Sequence, residues 1–283
     1  MPSSFELTVG IVESAFILAG LGCLIWLFFS DAGRAARSQA PALPAWRISM
    51  SEFLFLGWLV LALGFLGQVL LRVTLGPALH RQPEGETLEL ILYGSMFHVG
   101  AILAWVWVRL SARRRQREIE PPVLTSAPFS PSAGLRAAVL TFLVVVPLVG
   151  GVGYCWQLLL EAVHLPTERQ ELVDLFVEAK SPALLSVMVL LALVIAPISE
   201  ELVFRAGVFR FMRTRMPRWV AFAASAGLFA LFHFNWVSFL PLFVLGVLFA
   251  AAYERTGRIA VPMLAHALFN LNTLLMVLSG FGK

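Results

Sequence analysis

Long uncharged runs alternate along this chain with short connections that carry nearly all of its charge. Eight runs come near the 20 or so apolar residues needed to cross a hydrocarbon core. They lie from Thr8 to Phe29, Phe53 to Leu75, Leu88 to Leu110, Leu135 to Leu160, Ala183 to Phe204, Trp219 to Phe234, Phe239 to Tyr253 and Ile259 to Leu278. The pattern predicts an all-α fold, a polytopic membrane helix bundle of about eight transmembrane helices. The sixth and seventh runs are short and only Asn235-Trp-Val-Ser238 separates them, so they are expected to fall below full spans.

The connections add direction. Arginines follow the first run (Arg34, Arg37, Arg47), the third (Arg109, Arg113, Arg114, Arg115, Arg117), the fifth (Arg210, Arg213, Arg215, Arg218) and the seventh (Arg255, Arg258). The other connections are acidic or mixed, with Glu84, Glu86 and Glu89 after the second run and Glu161, Glu168, Glu171, Asp174 and Glu178 after the fourth. The positive-inside rule then places the four basic connections in the cytoplasm and both termini outside. Composition agrees with a membrane protein: 59% of residues are hydrophobic and 13% charged, against about 25% charged in ordinary domains. The 21 Lys and Arg against 17 Asp and Glu sit in those short clusters, so they read as topology signals and not as a nucleic-acid surface. Cys23 and Cys155 fall inside apolar runs and read as packing residues. No cleavable signal peptide is expected, because the first residues carry Glu6 without Lys or Arg and the first run is too long for a signal core.

A stretch rich in Pro and Ser, Glu118 to Ser132, reads as a cytoplasmic linker. It divides the chain into a three-helix membrane region (1–117), the linker (118–134) and a back part (135–283). Between Pro166 and Lys180, Leu172, Leu175, Phe176 and Ala179 recur at helical intervals, which predicts an amphipathic helix at the outer interface. No inverted repeat of the kind that marks many transporters is visible.

Against this background the polar residues inside the runs stand out. Ionised groups in a membrane helix cost roughly 2.5 to 3.5 kcal/mol each on insertion scales, so Glu200 and Glu201 at the end of an uncharged run mark a place for chemistry. Glu201 and Arg205 are four apart and predicted to pair on one helix face, which leaves Glu200 about 100° round the helix without that partner. Pro197 removes a backbone donor and is expected to kink the helix, freeing a carbonyl beside Glu200. His233 ends the sixth run. His266 and Asn270 share one face of the eighth. His98, alone between Phe97 and Val99, reads as structural, and His80 and His164 lie in or near loops. A carboxylate, two imidazoles and an amide on three helices are the parts for hydrolysis: a base for water, groups that position it, and a donor for an oxyanion. Counted at 1.5 Å per residue, His266 lies about 10 Å and His233 about 20 Å from the cytoplasmic side. Glu200 matches neither unless its helix continues through Phe211.

Glu200-Glu-Leu-Val-Phe-Arg205, Phe229-Ala-Leu-Phe-His233 and His266-Ala-Leu-Phe-Asn270 resemble the EExxxR, FxxxH and HxxxN motifs of the CPBP intramembrane proteases. That family includes type II CAAX prenyl endopeptidases and the bacterial Abi proteins. The resemblance covers roughly Ala183 to Leu278. It implies an intramembrane endopeptidase acting on a membrane-associated or lipidated peptide or protein in the bilayer. In that reading Glu200 activates water with help from His233, His266 and Asn270 form the oxyanion site, and Glu201 and Arg205 support them. No cofactor is expected; the alternative is zinc held by Glu200, His233 and His266, with Glu201 then free as base. Two other readings of the chain are an inactive scaffold or regulatory partner of that family and, from the buried Glu and His groups, an ion- or proton-coupled transporter.

Overall fold

The computed structural model describes residues 3–81, 84–119, 130–165, 167, 175–176 and 179–280, with side chains of 112–119 left aside. Its elements are helices: α1 (Ser4–Phe29), α2 (Asp31–Ser38), α3 (Met50–Thr74), α4 (Gly76–Leu79), α5 (Gly85–Ile119), α6 (Pro131–Ala162), α7 (Pro182–Arg213), α8 (Arg218–Leu231), α9 (Trp236–Thr256) and α10 (Ala260–Ser279). Their ends are chemically marked. Ser3, Ser130, Ser181 and Asn235 accept hydrogen bonds from first-turn amides of α1, α6, α7 and α9. Ser49 and Glu52 close a reciprocal cap on α3. Gly257 ends α9 at φ 64°, in the left-handed region, where an added Cβ would also meet the Ala42 carbonyl oxygen at 2.9 Å.

The chain is a multi-pass membrane protein. Among the described residues seven helices are long and apolar enough to cross a membrane, and α8 is a shorter apolar helix. Its 14 residues span about 21 Å, less than a hydrocarbon core, as expected for the sixth run. The seventh run differs from expectation: α9 begins at Trp236 and has 21 residues, a full span. The fifth run also differs, because its helix passes Phe204 and ends at Arg213. The linker falls mainly on residues 120–129, outside the described residues. So does most of the interfacial helix expected before Lys180, although Leu175, Phe176 and Ala179 pack on Leu88, Leu184 and Met188.

Helix α3 pairs with α5, α1 lies against α6 and α10, and α8 packs on α9. The α8–α9 crossing is close at Gly246, where a Cβ would lie 2.9 Å from the Cα of Ala226; small residues let membrane helices approach in this way. One apolar cluster joins Leu56, Trp105, Phe209, Ala221 and Tyr253 from α3, α5, α7, α8 and α9. A second, with Val145, Phe204, Phe229, Phe249 and Ala265, packs α6 to α10 around the motif residues. Asn272 of α10 donates to Glu13 of α1 at 2.7 Å, so a buried carboxylate fastens α1 to the bundle. Cys23 and Cys155 are unpaired.

The arginines near the helix ends hold a strap. Residues 39–49 cross the bundle end, and Arg210 donates to the Pro44 carbonyl, Arg215 to that of Trp46, and Arg255 to those of Ala36 and Arg37. Glu254, almost fully buried, accepts from Arg213 and Arg218.

Candidate functional site

Helix α7 does not wind uniformly. Two segments, Leu191–Ile195 and Glu201–Phe209, are π-helical, with the α-helical turn Ala196–Glu200 between them. The first wide turn follows from Pro197. The Ala196 amide donates to the Leu191 carbonyl, and the next bond in this i→i+5 pattern would come from residue 197, whose ring nitrogen has no hydrogen. The Ala192 carbonyl is therefore freed, and Asn270 Nδ2 donates to it at 2.8 Å. In the second wide turn the Ser225 hydroxyl donates to the Phe204 carbonyl at 2.9 Å. Each wide turn thus has one carbonyl held by a neighbouring helix.

Within the second wide segment Glu201 and Arg205 are both 0% exposed. Arg205 Nη1 lies 2.9 Å from Glu201 Oε1, yet the guanidinium nitrogens make no hydrogen bond of good geometry. The cation is answered by that ion contact and by the faces of Phe229 and Phe249, 4.2 and 5.4 Å from the guanidinium carbon. The same Glu201 oxygen lies 3.1 Å from His266 Nδ1. With the carboxylate ionised, that ring nitrogen carries the proton and donates it, which directs Nε2 away from Glu201. Nε2 lies 3.8 Å from Glu200 Oε2. That oxygen has no hydrogen-bond partner, and the Glu200 side chain is 17% exposed. The gap is too long for a direct hydrogen bond.

His233 lies just beyond the end of α8. Its Nδ1 donates to the Phe229 carbonyl at 2.8 Å, and the ring packs on Phe229 at 4.8 Å, which leaves Nε2 as the other polar edge. Phe229 also meets the His266 ring at 6.2 Å, so one aromatic side chain spaces the two imidazoles. The structure therefore brings Glu200, Glu201, Arg205 and His266 together, sets Asn270 against the wide turn before them, and packs His233 on Phe229, which also meets His266.

His98 is a residue that the sequence reading set aside. It comes from α5, and its Nδ1 is 2.6 Å from the hydroxyl of Ser199, beside Glu200. An ionisable side chain within an apolar run was the available signal; the packing of α5 on Ala196–Glu200 was not readable locally.

Among the described residues no three His, Cys, Asp or Glu side chains converge as a metal set. Glu200, His233 and His266 do not fit zinc as placed, and no step below passes through a metal.

A family model described as type II CAAX prenyl endopeptidase, Rce1-like, matches residues 182–272. The matched segment is similar to the CPBP family; it holds the glutamate pair, His233, His266 and Asn270, and excludes α1 to α6. Over 84 residues the chain is 42% identical to the membrane-embedded CAAX protease MroQ of Staphylococcus aureus (strain USA300), covering 27% of this chain and 34% of that protein. Over 88 residues it is 34% identical to the UPF0177 protein YbdI of Lactococcus lactis subsp. lactis (strain IL1403), covering 30% and 46%. The chain thus spans about a third to just under half the length of the curated relatives it matches. No solved structure gives a significant match.

Proposed function

We propose that the chain is an intramembrane endopeptidase, in which Glu200 takes a proton from water as its oxygen adds to the carbonyl carbon of a peptide bond. His233 helps hold that water. The second N–H of the Asn270 amide stabilises the oxyanion, joined by His266 Nε2 when that ring carries a proton on both nitrogens, Nδ1 being held by Glu201. When the carbon–nitrogen bond breaks, the proton on Glu200 passes to the departing amine. The observation that carries the reading is the uncommitted, buried Glu200 oxygen 3.8 Å from His266 Nε2. A carboxylate oxygen left without a hydrogen bond inside a membrane bundle needs a reason to stay there, and a reacting water supplies one.

The substrate class is a peptide or protein in or on the bilayer, with or without a lipid. The CAAX protease among the relatives and the Rce1-like family description favour a peptide over a transported solute. Both termini lie outside and the arginine connections in the cytoplasm, following the positive-inside rule. The test is Glu200→Gln in purified, reconstituted protein against a panel of prenylated and unmodified peptides. Cleavage by the parent chain and its loss in the variant, with an unchanged unfolding midpoint, is the expected result. Near-parental cleavage by the variant removes Glu200 from its assigned role, and loss of proton or solute flux instead assigns the site to transport.

A further inference from the structure

Helix α5 lies outside the matched segment 182–272, yet it packs on the turn Ala196–Glu200 and brings His98 to it. The anchoring is specific. Ser199, 1% exposed, lies 2.6 Å from His98 Nδ1 and 3.0 Å from the Ala196 carbonyl oxygen. The hydroxyl has one proton. When it donates that proton to the carbonyl, the ring's Nδ1–H donates to Oγ, and Nε2 becomes the nitrogen left for the site. Ser199 is the residue next to Glu200, so the imidazole is fixed relative to the carboxylate through a rigid turn. Beyond Ser199 on the same helix, Glu200 lies 3.8 Å from His266 of α10, and Glu201 contacts both Arg205 and His266.

We propose that His98 is a positioning residue for Glu200. Anchored on Ser199, its ring borders the Glu200 carboxylate and confines it to the orientation that faces His266 Nε2. The site is then completed by a helix the family match does not contain, which gives α5, and α3 paired to it, a part in the chemistry. The inference rests on the peptidase reading for its activity readout, and on geometry alone for its placement.

The experiment uses the full chain in nanodiscs with nitrogen-15 histidine, His98 being assigned by its loss in His98→Asn. Asparagine keeps a short donor for Ser199 and lacks the far nitrogen. Two results are expected. The His98 ring signals shift in both Glu200→Gln and Ser199→Ala. In the peptide assay His98→Asn lowers kcat roughly 10- to 100-fold, as small misplacements of a reacting group do, while KM stays within about twofold. Ser199→Ala gives a smaller loss of the same kind. If His98→Asn does not fold, His98→Gln and Ser199→Ala carry the kinetic arm. His98 signals unmoved by Glu200→Gln overturn the proposal whatever the activity. Shifted signals with parental kcat in the folded variants overturn it as well. Shifted signals in a parent chain that cleaves none of the peptides overturn the peptidase reading and leave His98 in the Glu200 site.

Discussion

Replacing Arg205 by methionine keeps an unbranched apolar stem beside Phe229 and Phe249 and removes the charged guanidinium. Glu201 would then be a fully buried carboxylate with His266 as its remaining partner. At 2.9 Å and an effective dielectric of about 20, the lost attraction is roughly 6 kcal/mol before desolvation of the pair is set against it. Removing one partner of a buried pair costs about 3–5 kcal/mol in practice, and the loss of the two ring contacts adds about 1 kcal/mol. The His266 contact limits the damage, so the net expectation is about 3–5 kcal/mol. Glu201→Leu alone leaves the cation buried and is expected to fall in the same range. The double variant removes both charges, and replacing a whole buried pair by apolar groups is often close to neutral. A double-mutant cycle should therefore return a coupling of at least about 2 kcal/mol. Equilibrium unfolding in mixed micelles, followed by tryptophan fluorescence, measures it. If Arg205→Met costs under about 1 kcal/mol and the double variant equals the sum of the singles, the pair does not carry the stability assigned to it.

Two further outcomes follow from the helix contacts. Asn270→Ala should cost about 1–3 kcal/mol by leaving the Ala192 carbonyl unsatisfied, and Pro197→Ala, which restores an amide for that carbonyl, should recover most of the loss in the double variant; additive losses in the same unfolding assay would contradict it. Gly246→Ala places a Cβ 2.9 Å from the Ala226 backbone and should cost about 1–3 kcal/mol by forcing α8 from α9. Its peptide cleavage should fall as His233 moves, and a stable variant with parental cleavage would show that the crossing does not set that side chain.

What could be read from the chain depended on whether a relation was local. The pairing of Glu201 with Arg205 is a four-residue spacing and needed no partner helix. The carbonyl freed by Pro197 was equally visible, but its occupant, Asn270, is 78 positions away. The His266–Glu201 contact spans 65 positions, and nothing in either motif says that the inner glutamate orients the imidazole while the outer one faces it. His98 looked like a core histidine because its partner lies 101 positions on. The extent of α7 was misjudged for another reason. Arg205 and the arginines from 210 onward made the apolar run seem to stop at Phe204, whereas Arg205 is buried and Arg210 and Arg215 turn to strap carbonyls. With the helix carried to Arg213, Glu200 lies about 20 Å above its end, which matches the depth counted for His233 and not that counted for His266.

The wide turns of α7 have a consequence for where control of the glutamates resides. An isolated segment of this sequence would favour ordinary α-helical winding, since π turns are rare and short. Here Asn270 and Ser225 each hold a carbonyl within a wide turn, so the pitch of α7 is a joint property of α7, α8 and α10. A wide turn that tightened by one residue would rotate everything beyond it by about 100°. The bearing of a carboxylate can thus be reset by a hydroxyl or an amide that never touches it, like a tuning peg at the far end of a string.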